Sequence, residues 1–360
     1  MFLLDPDICF LNHGSFGAAP APVFDAYQRW QRELERQPVE FLARRLGDLL
    51  MEARGPLAAF VGARPEDLAF VQNATTGVNV VARSLRLVPG DEVLATDLEY
   101  GACDLTWEHW CRRSGARYVR KRLDLADPVG SLFAGAGDRT RAVFVSHVTS
   151  STALVLPAAD ICEEAHRRGL LAIVDGAHAP AQVPLDLGVL GADIYTANCH
   201  KWLCAPKGSG FIWARSDHHE WLEAPIVSWG WEGGGDFVSR IEKQGTRDPA
   251  AYLATPDAID FVRAHDNPKR SHELAVAARR ELARVLGVEP TAPDEHYVGR
   301  MAAVPLPAGV DGDALQRRLY EEDRIEVPIV SGLLRVSFAM YNDGSDLDRV
   351  VTALQRILAS

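Results

Sequence analysis

Short apolar runs, each ending in a cluster of polar side chains, most of them leading into an amphipathic stretch, constrain this chain more than any other feature. "LAFV" (68–71) leads into a helical 76–87, "DEVLATD" (91–97) into 101–114, and "RAVFVSHV" (141–148) into 158–169. "LLAIVDGAH" (170–178) and "DIYTANCHK" (193–201) follow. Such alternation specifies an α/β fold, a mainly parallel sheet covered by helices on both faces. Ligands of open α/β sheets bind beyond the carboxyl ends of the strands. Here those ends carry Asn73 to Thr76, Glu99 with Tyr100, His147 to Ser150, Asp175 to His178, and Asn198 to Lys201. Five polar groups on one sheet edge point to one site.

The texture changes toward the end of the chain. Residues 22–60 are mostly helical, and the strand–helix pattern runs on to about residue 255. Helical runs at 257–286, 312–322 and 344–358 then surround the short strands "MAAVPL", "RIEVPI" and "LLRVSF". The expected organisation is a large domain over 20–255 and a smaller α+β domain over 256–360 that includes the N-terminal segment 1–19. A chain of 360 residues suits this two-domain reading.

Composition excludes several functions. A net charge of −11 and a pI near 5.5 argue against nucleic-acid binding, which rests on basic surface. No window approaches a membrane span, and "MFLLDPDICF" has no basic n-region or long apolar h-region, so a cytoplasmic protein is expected. The six cysteines (9, 103, 111, 162, 199, 204) lack zinc-ribbon spacing, and "CHKWLC" has no second ligand pair, so no metal site is expected. A disulfide framework does not suit a chain this long with so few cysteines, and reduced thiols are expected.

The strand-end residues carry the chemistry. Asp175 ends "LLAIV", and Lys201 follows 26 residues later after another apolar run. A lone strand-end Asp serves equally as a helix cap. Together, an acid to hold a protonated pyridine nitrogen and an amine to form a Schiff base are what pyridoxal phosphate requires of a protein. "NATTGVN" (73–79) places hydroxyl residues at a helix start, where backbone N–H groups receive an anion; a plain Thr75 or Thr76 cap is the alternative. Neither a P-loop nor a G-x-G-x-x-G follows a first strand, which disfavours a nucleotide fold.

The ordered set "LNHGSFG" (11–17), "NATTGVN", "LEYGAC" (98–103), "VSHVTSS" (145–151), "VDGAHA" (174–179), "CHKW" (199–202), "QGTRD" (244–248) and "RVSFAMYN" (335–342) resembles the class V aminotransferases. These are fold type I pyridoxal phosphate enzymes, and the closest likeness is to isopenicillin N epimerase-like members. The resemblance implies that Lys201 binds the cofactor and moves the proton at Cα. It implies that Ala74, Thr75, Thr76, Asn198 and His200 lie near the phosphate, Asp175 at the pyridine nitrogen, Tyr100 on the ring face, and Ser150 and His178 near the phenolic oxygen. Thr246 would reach the phosphate from a second subunit, which implies a homodimer. Arg335 would clamp a substrate carboxylate, with Ser15 and His13 from the N-terminal segment beside the substrate and His13 a candidate second acid.

Other residues have plainer readings. Lys207, in the turn "APKGSG", matches no Schiff-base position, and His147 reads as a satisfied strand-end histidine. Arg44 and Arg45 read as a solvated helix face. Trp229 and Trp231, before Gly233 to Gly235, read as core anchors or as a lid. Desulfurases of the class carry a cysteine shortly before the carboxylate-binding arginine, and "RIEVPIVSGLLR" (324–335) has none. Epimerisation leads the expected reactions, followed by C–S β-lyase chemistry on cysteine conjugates or sulfoxides and by transamination; a catalytically silent binding protein is the reading from a different class.

Overall fold

Seven strands form the main sheet of the computed structural model, which describes residues 1–359. They are β1 (Leu68–Val71), β2 (Glu92–Thr96), β3 (Arg117–Lys121), β4 (Thr140–Ser146), β5 (Leu171–Asp175), β6 (Ile194–Asn198) and β7 (Gly210–Ala214). Their spatial order is β3-β2-β4-β5-β6-β7-β1, and only β7 runs antiparallel to its neighbours. Alternation along the strands builds two cores. Val143, Val145, Ala172, Val174, Tyr195 and Ala197 face one layer, and Ala142, Phe144, Ile173 and Ile194 face the other.

Helices α1 (Ala21–Arg36), α2 (Leu46–Phe60), α3 (Ala74–Ser84), α4 (Gly101–Ser114), α5 (Ala158–Arg167) and α6 (Thr255–His265) accompany the sheet. Apolar residues of α2, α5 and α6 fill the first core, and Val78, Val81, Cys103 and Trp107 of α3 and α4 fill the second. Two strands escaped the sequence reading. β3, "RYVRK", is an edge strand with exposed charges and no apolar run. β7, "GFIWA", is fully buried but follows the polar lysine segment with no helix between.

The smaller unit has its own core. It combines α7 (Pro268–Leu286), α8 (Gly312–Asp323) and α9 (Gly344–Leu358) with an antiparallel sheet of β8 (Met301–Pro305), β9 (Ile329–Val330) and β10 (Leu333–Ser337). The N-terminal segment joins it: Cys9–Phe10 pairs with Ile325–Glu326, and Cys9 and Leu11 enter the second unit's core. Two sequence expectations shift. The helical run 257–286 is broken at Asn267, which caps Arg270 N–H through its side chain, with Pro268 opening the new helix. Ala258, Ile259, Phe261 and Val262 of α6 belong to the large core, so the second core begins with α7, later than residue 256. All six cysteines are buried and free, and no helix among the described residues is long and apolar enough to cross a membrane.

Candidate active site

Lys201 stands just beyond β6, half-buried in a cavity wall. Burial first, and the Arg335 guanidinium second, lower its pKa from 10.5 to about 8, against the opposing pull of Asp175. Its Nζ lies 3.0 Å from His178 Nε2, and Trp202 Nε1–H donates to His178 Nδ1 over 3.4 Å. An indole can only donate, so Nδ1 accepts and the neutral imidazole carries its hydrogen on Nε2. That hydrogen faces Nζ, which accepts it only as a neutral amine. The His178 pKa is itself well below its ordinary value, mainly through burial.

Asp175 ends β5 as a buried carboxylate that forms no ion pair among the described residues. Oδ1 accepts from Ala177 N–H at 2.8 Å and Oδ2 from the Cys103 thiol at 3.3 Å. Burial raises its pKa, opposed by these bonds and by Lys201. Glu99 lies close by, its oxygens receiving the hydroxyls of Thr96 and Ser146 at 2.5 and 2.6 Å, and burial pushes its pKa up to about 8. An Asp held without a cation in this way is suited to receive a pyridinium.

The start of α3 forms the anion end. Asn198 Oδ1 accepts from Ala74 N–H at 2.8 Å, tying β6 to the helix start, and Asn73 caps Thr76 N–H at 2.8 Å. The N–H and hydroxyl of Thr75 have no protein partner among the described residues. Gly77 lets α3 approach β6, since a Cβ there would come within 2.7 Å of Thr196. His200, with Nδ1 3.1 Å from Ser209 O and a pKa lowered to about 4 mainly by burial, follows Asn198 on the same edge.

A cavity of about 160 Å³ opens over Lys201, lined by Ser15, Phe16, Tyr100, Ser150, Ser151, Arg335 and apolar side chains of β10 and its approach. Arg335 Nη1 donates to Ser150 O at 2.6 Å and Nη2 to Ser15 Oγ at 2.8 Å, while Ser15 donates to Asn12 at 2.5 Å. The guanidinium is buried, and it has no acidic partner among the described residues. Burial lowers its pKa to about 10. A buried cation without a counter-ion is costly, and an incoming carboxylate offsets that cost. Ser150 thus holds the arginine and lines the same cavity as Lys201.

His13 is held behind the lysine. It is fully buried, Nε2 lies 3.0 Å from Lys201 O and Nδ1 2.9 Å from the Tyr341 hydroxyl. The carbonyl fixes the hydrogen on Nε2, so Tyr341 donates to Nδ1; burial lowers the pKa to about 3. With both nitrogens engaged and no part in the cavity lining, His13 supports the lysine backbone. Gly17 completes that support, with φ of +68° and a Cβ position 2.0 Å from His200 O.

Thr246 lies away from Lys201, in a separate cavity of about 880 Å³ that Arg44 and Trp229 also line. Trp229 is exposed, while Trp231 packs under the Arg240 guanidinium. His147 bonds the Tyr195 hydroxyl at 2.9 Å, Lys207 donates to Gly17 O at 3.0 Å, and Arg45 pairs with Glu33 at 2.6 Å. Trp202 and Cys103, which orient His178 and Asp175, went unassigned in the sequence. Their neighbours in "CHKW" and "LEYGAC" were the available signal.

Residues 16–350 match the family model described as aminotransferase class-V. The isopenicillin N epimerase of Amycolatopsis lactamdurans is 41% identical, over 98% of this chain and 96% of its own. A probable chloroplastic L-cysteine desulfhydrase of Arabidopsis thaliana is 29% identical, over 98% of this chain and 84% of its own. Among solved structures, the cysteine desulfurase CsdA of Escherichia coli superposes with a TM-score of 0.84 at 25% identity, covering 99% of this chain and 96% of that one.

Proposed function

This chain belongs to the aminotransferase class-V family, and from that membership we propose that it binds pyridoxal phosphate through Lys201 and inverts the Cα of an amino acid or amino-acid derivative. The observation that carries the reading is Arg335, a buried cation without an acidic partner, sharing one small cavity with a lysine whose pKa is lowered to about 8. A substrate bearing a carboxylate and an amine on one carbon satisfies both. The identity with an isopenicillin N epimerase favours inversion among the reactions of the class.

The residues present fit the cofactor: Asp175 for the pyridine nitrogen, Ala74, Thr75, Thr76 and Asn198 for the phosphate with His200 beside them, Tyr100 for the ring face, and His178 for the lysine side. When bound, the cofactor supplies the electron sink that acidifies Cα–H. Lys201 Nζ, in its neutral form, takes the α-proton. Arg335 fixes the carboxylate with two donors, and Ser15 and Ser150 hold the guanidinium plane. Buried Asp175, kept from solvent, holds the ring nitrogen protonated. Thr246, remote from Lys201 in its own subunit, would serve a second copy, which supports a homodimer as the active form.

C–S β-lyase chemistry is the second reading, favoured by the relative named a probable L-cysteine desulfhydrase. A cysteine-based persulfide relay is disfavoured, because no cysteine lines the cavity and all six are buried. The test is incubation with amino acids, L-cysteine and cysteine sulfoxides in deuterated water, following Cα exchange, configuration and keto-acid release together. Exchange with inversion and no pyruvate is expected. Pyruvate would transfer the assignment to the lyase, and pyridoxamine phosphate to transamination.

A further inference from the structure

Inversion needs one proton taken from Cα and another delivered to its opposite face. Lys201 is fixed against His178 on one side of the cavity, and the nearby histidines are all engaged. His13 bonds Lys201 O and Tyr341, His147 bonds Tyr195, His178 bonds Lys201 and Trp202, and His200 bonds Ser209. The Ser15 hydroxyl is committed to Arg335 and Asn12. The cavity walls also carry the hydroxyls of Ser150 and Ser151, but an aliphatic hydroxyl is a far weaker acid than a phenol, and a guanidinium does not give its proton up, which leaves Tyr100 as the strongest proton donor beside Lys201.

Tyr100 is 48% exposed, and its hydroxyl has no hydrogen-bond partner among the described residues. It follows β2, whereas Lys201 follows β6, with β4 and β5 between. Three strand spacings set their main chains roughly 14 Å apart at about 4.8 Å each, and both side chains line the one cavity between. We propose that Tyr100 is the second catalytic proton carrier, delivering a proton to the face of Cα opposite Lys201.

The proposal rests on the Cα reading above. In one direction the Lys201 amine takes the α-proton and becomes ammonium. The electron pair of the broken C–H bond would then form a new bond to the Tyr100 proton on the opposite face of Cα, leaving a phenolate. Exchange with water returns Lys201 and Tyr100 to their starting states, and the reverse direction interchanges their roles.

Glycine tests this without knowledge of the natural substrate, because its two α-hydrogens mark the two faces. In deuterated water the wild-type holoenzyme is expected to exchange both hydrogens, and Tyr100→Phe only one, giving glycine deuterated once with a single handedness. The second exchange should slow by roughly a hundred-fold or more. Equilibrium titration of Tyr100→Phe with pyridoxal phosphate, read apart from exchange, should change far less than the second exchange does, because the ring remains at the cofactor face. Exchange of both hydrogens by Tyr100→Phe at the wild-type ratio, or of only one by wild type, overturns the proposal while leaving Cα chemistry intact. Exchange of neither by wild type overturns the Cα reading as well, and Lys201→Ala should abolish both.

Discussion

Replacing Arg335 by methionine keeps side-chain volume in a buried site and removes one charge, with two separable consequences. Truncating one partner of a buried, hydrogen-bonded charge pair costs about 2–5 kcal/mol, or roughly thirty-fold to several-thousand-fold in kcat/KM. That loss should fall on substrates with an α-carboxylate and spare the corresponding amines. The second consequence concerns Lys201. Its pKa lies near 8 instead of 10.5, through burial first and Arg335 second, and at 1.36 kcal/mol per unit this weakens the ammonium form by roughly 3 kcal/mol relative to an exposed lysine. Without Arg335 the pKa should rise but stay below 10.5, because burial remains. Since the neutral amine captures the cofactor, stopped-flow mixing of cofactor-free protein with pyridoxal phosphate reads it directly. For the native chain the capture rate should climb about tenfold per pH unit below 8 and level above it; in Arg335→Met the break should move to higher pH. A variant that still prefers carboxylated substrates and breaks at the native pH would refute the reasoning.

Other outcomes follow from the same geometry. Asp175→Asn should still take up pyridoxal phosphate on Lys201 while turnover falls roughly 10²–10³-fold, read by cofactor absorbance and Cα exchange together. Thr75→Val should weaken pyridoxal phosphate by roughly tenfold or more, the value of one hydrogen bond to a charged group, and weaken inorganic phosphate in parallel by calorimetry. Gly17→Ala places a Cβ 2.0 Å from His200 O at a φ of +68°, so its thermal midpoint should drop by several degrees and its cofactor should dissociate faster.

The sheet was legible at five strands that are buried apolar runs ending in polar residues, as with "LLAIVD" and "IYTAN", but not at β7, whose buried "GFIWA" follows the lysine segment with no helix between. Edge strand β3 was not, because one half-exposed face and five residues rich in Arg and Lys leave no apolar signal. Lys201, Asp175 and the α3 start could be read because each directly follows a strand, where main-chain direction fixes what the side chain meets. Burial could not be read in that way. His13 sits in a motif beside the site, yet folding turns it onto the Lys201 carbonyl and away from the cavity. Ser150 depended on Arg335, 185 residues away, and the split of 257–286 depended on the single Asn267–Pro268 cap outweighing a continuous helical pattern.

The most direct measurement is borohydride reduction of pyridoxal phosphate-loaded protein, followed by peptide mapping. The reduced cofactor should appear on the peptide containing Lys201. Its appearance on Lys207 or any other residue, or on none in cofactor-loaded material, would contradict the account.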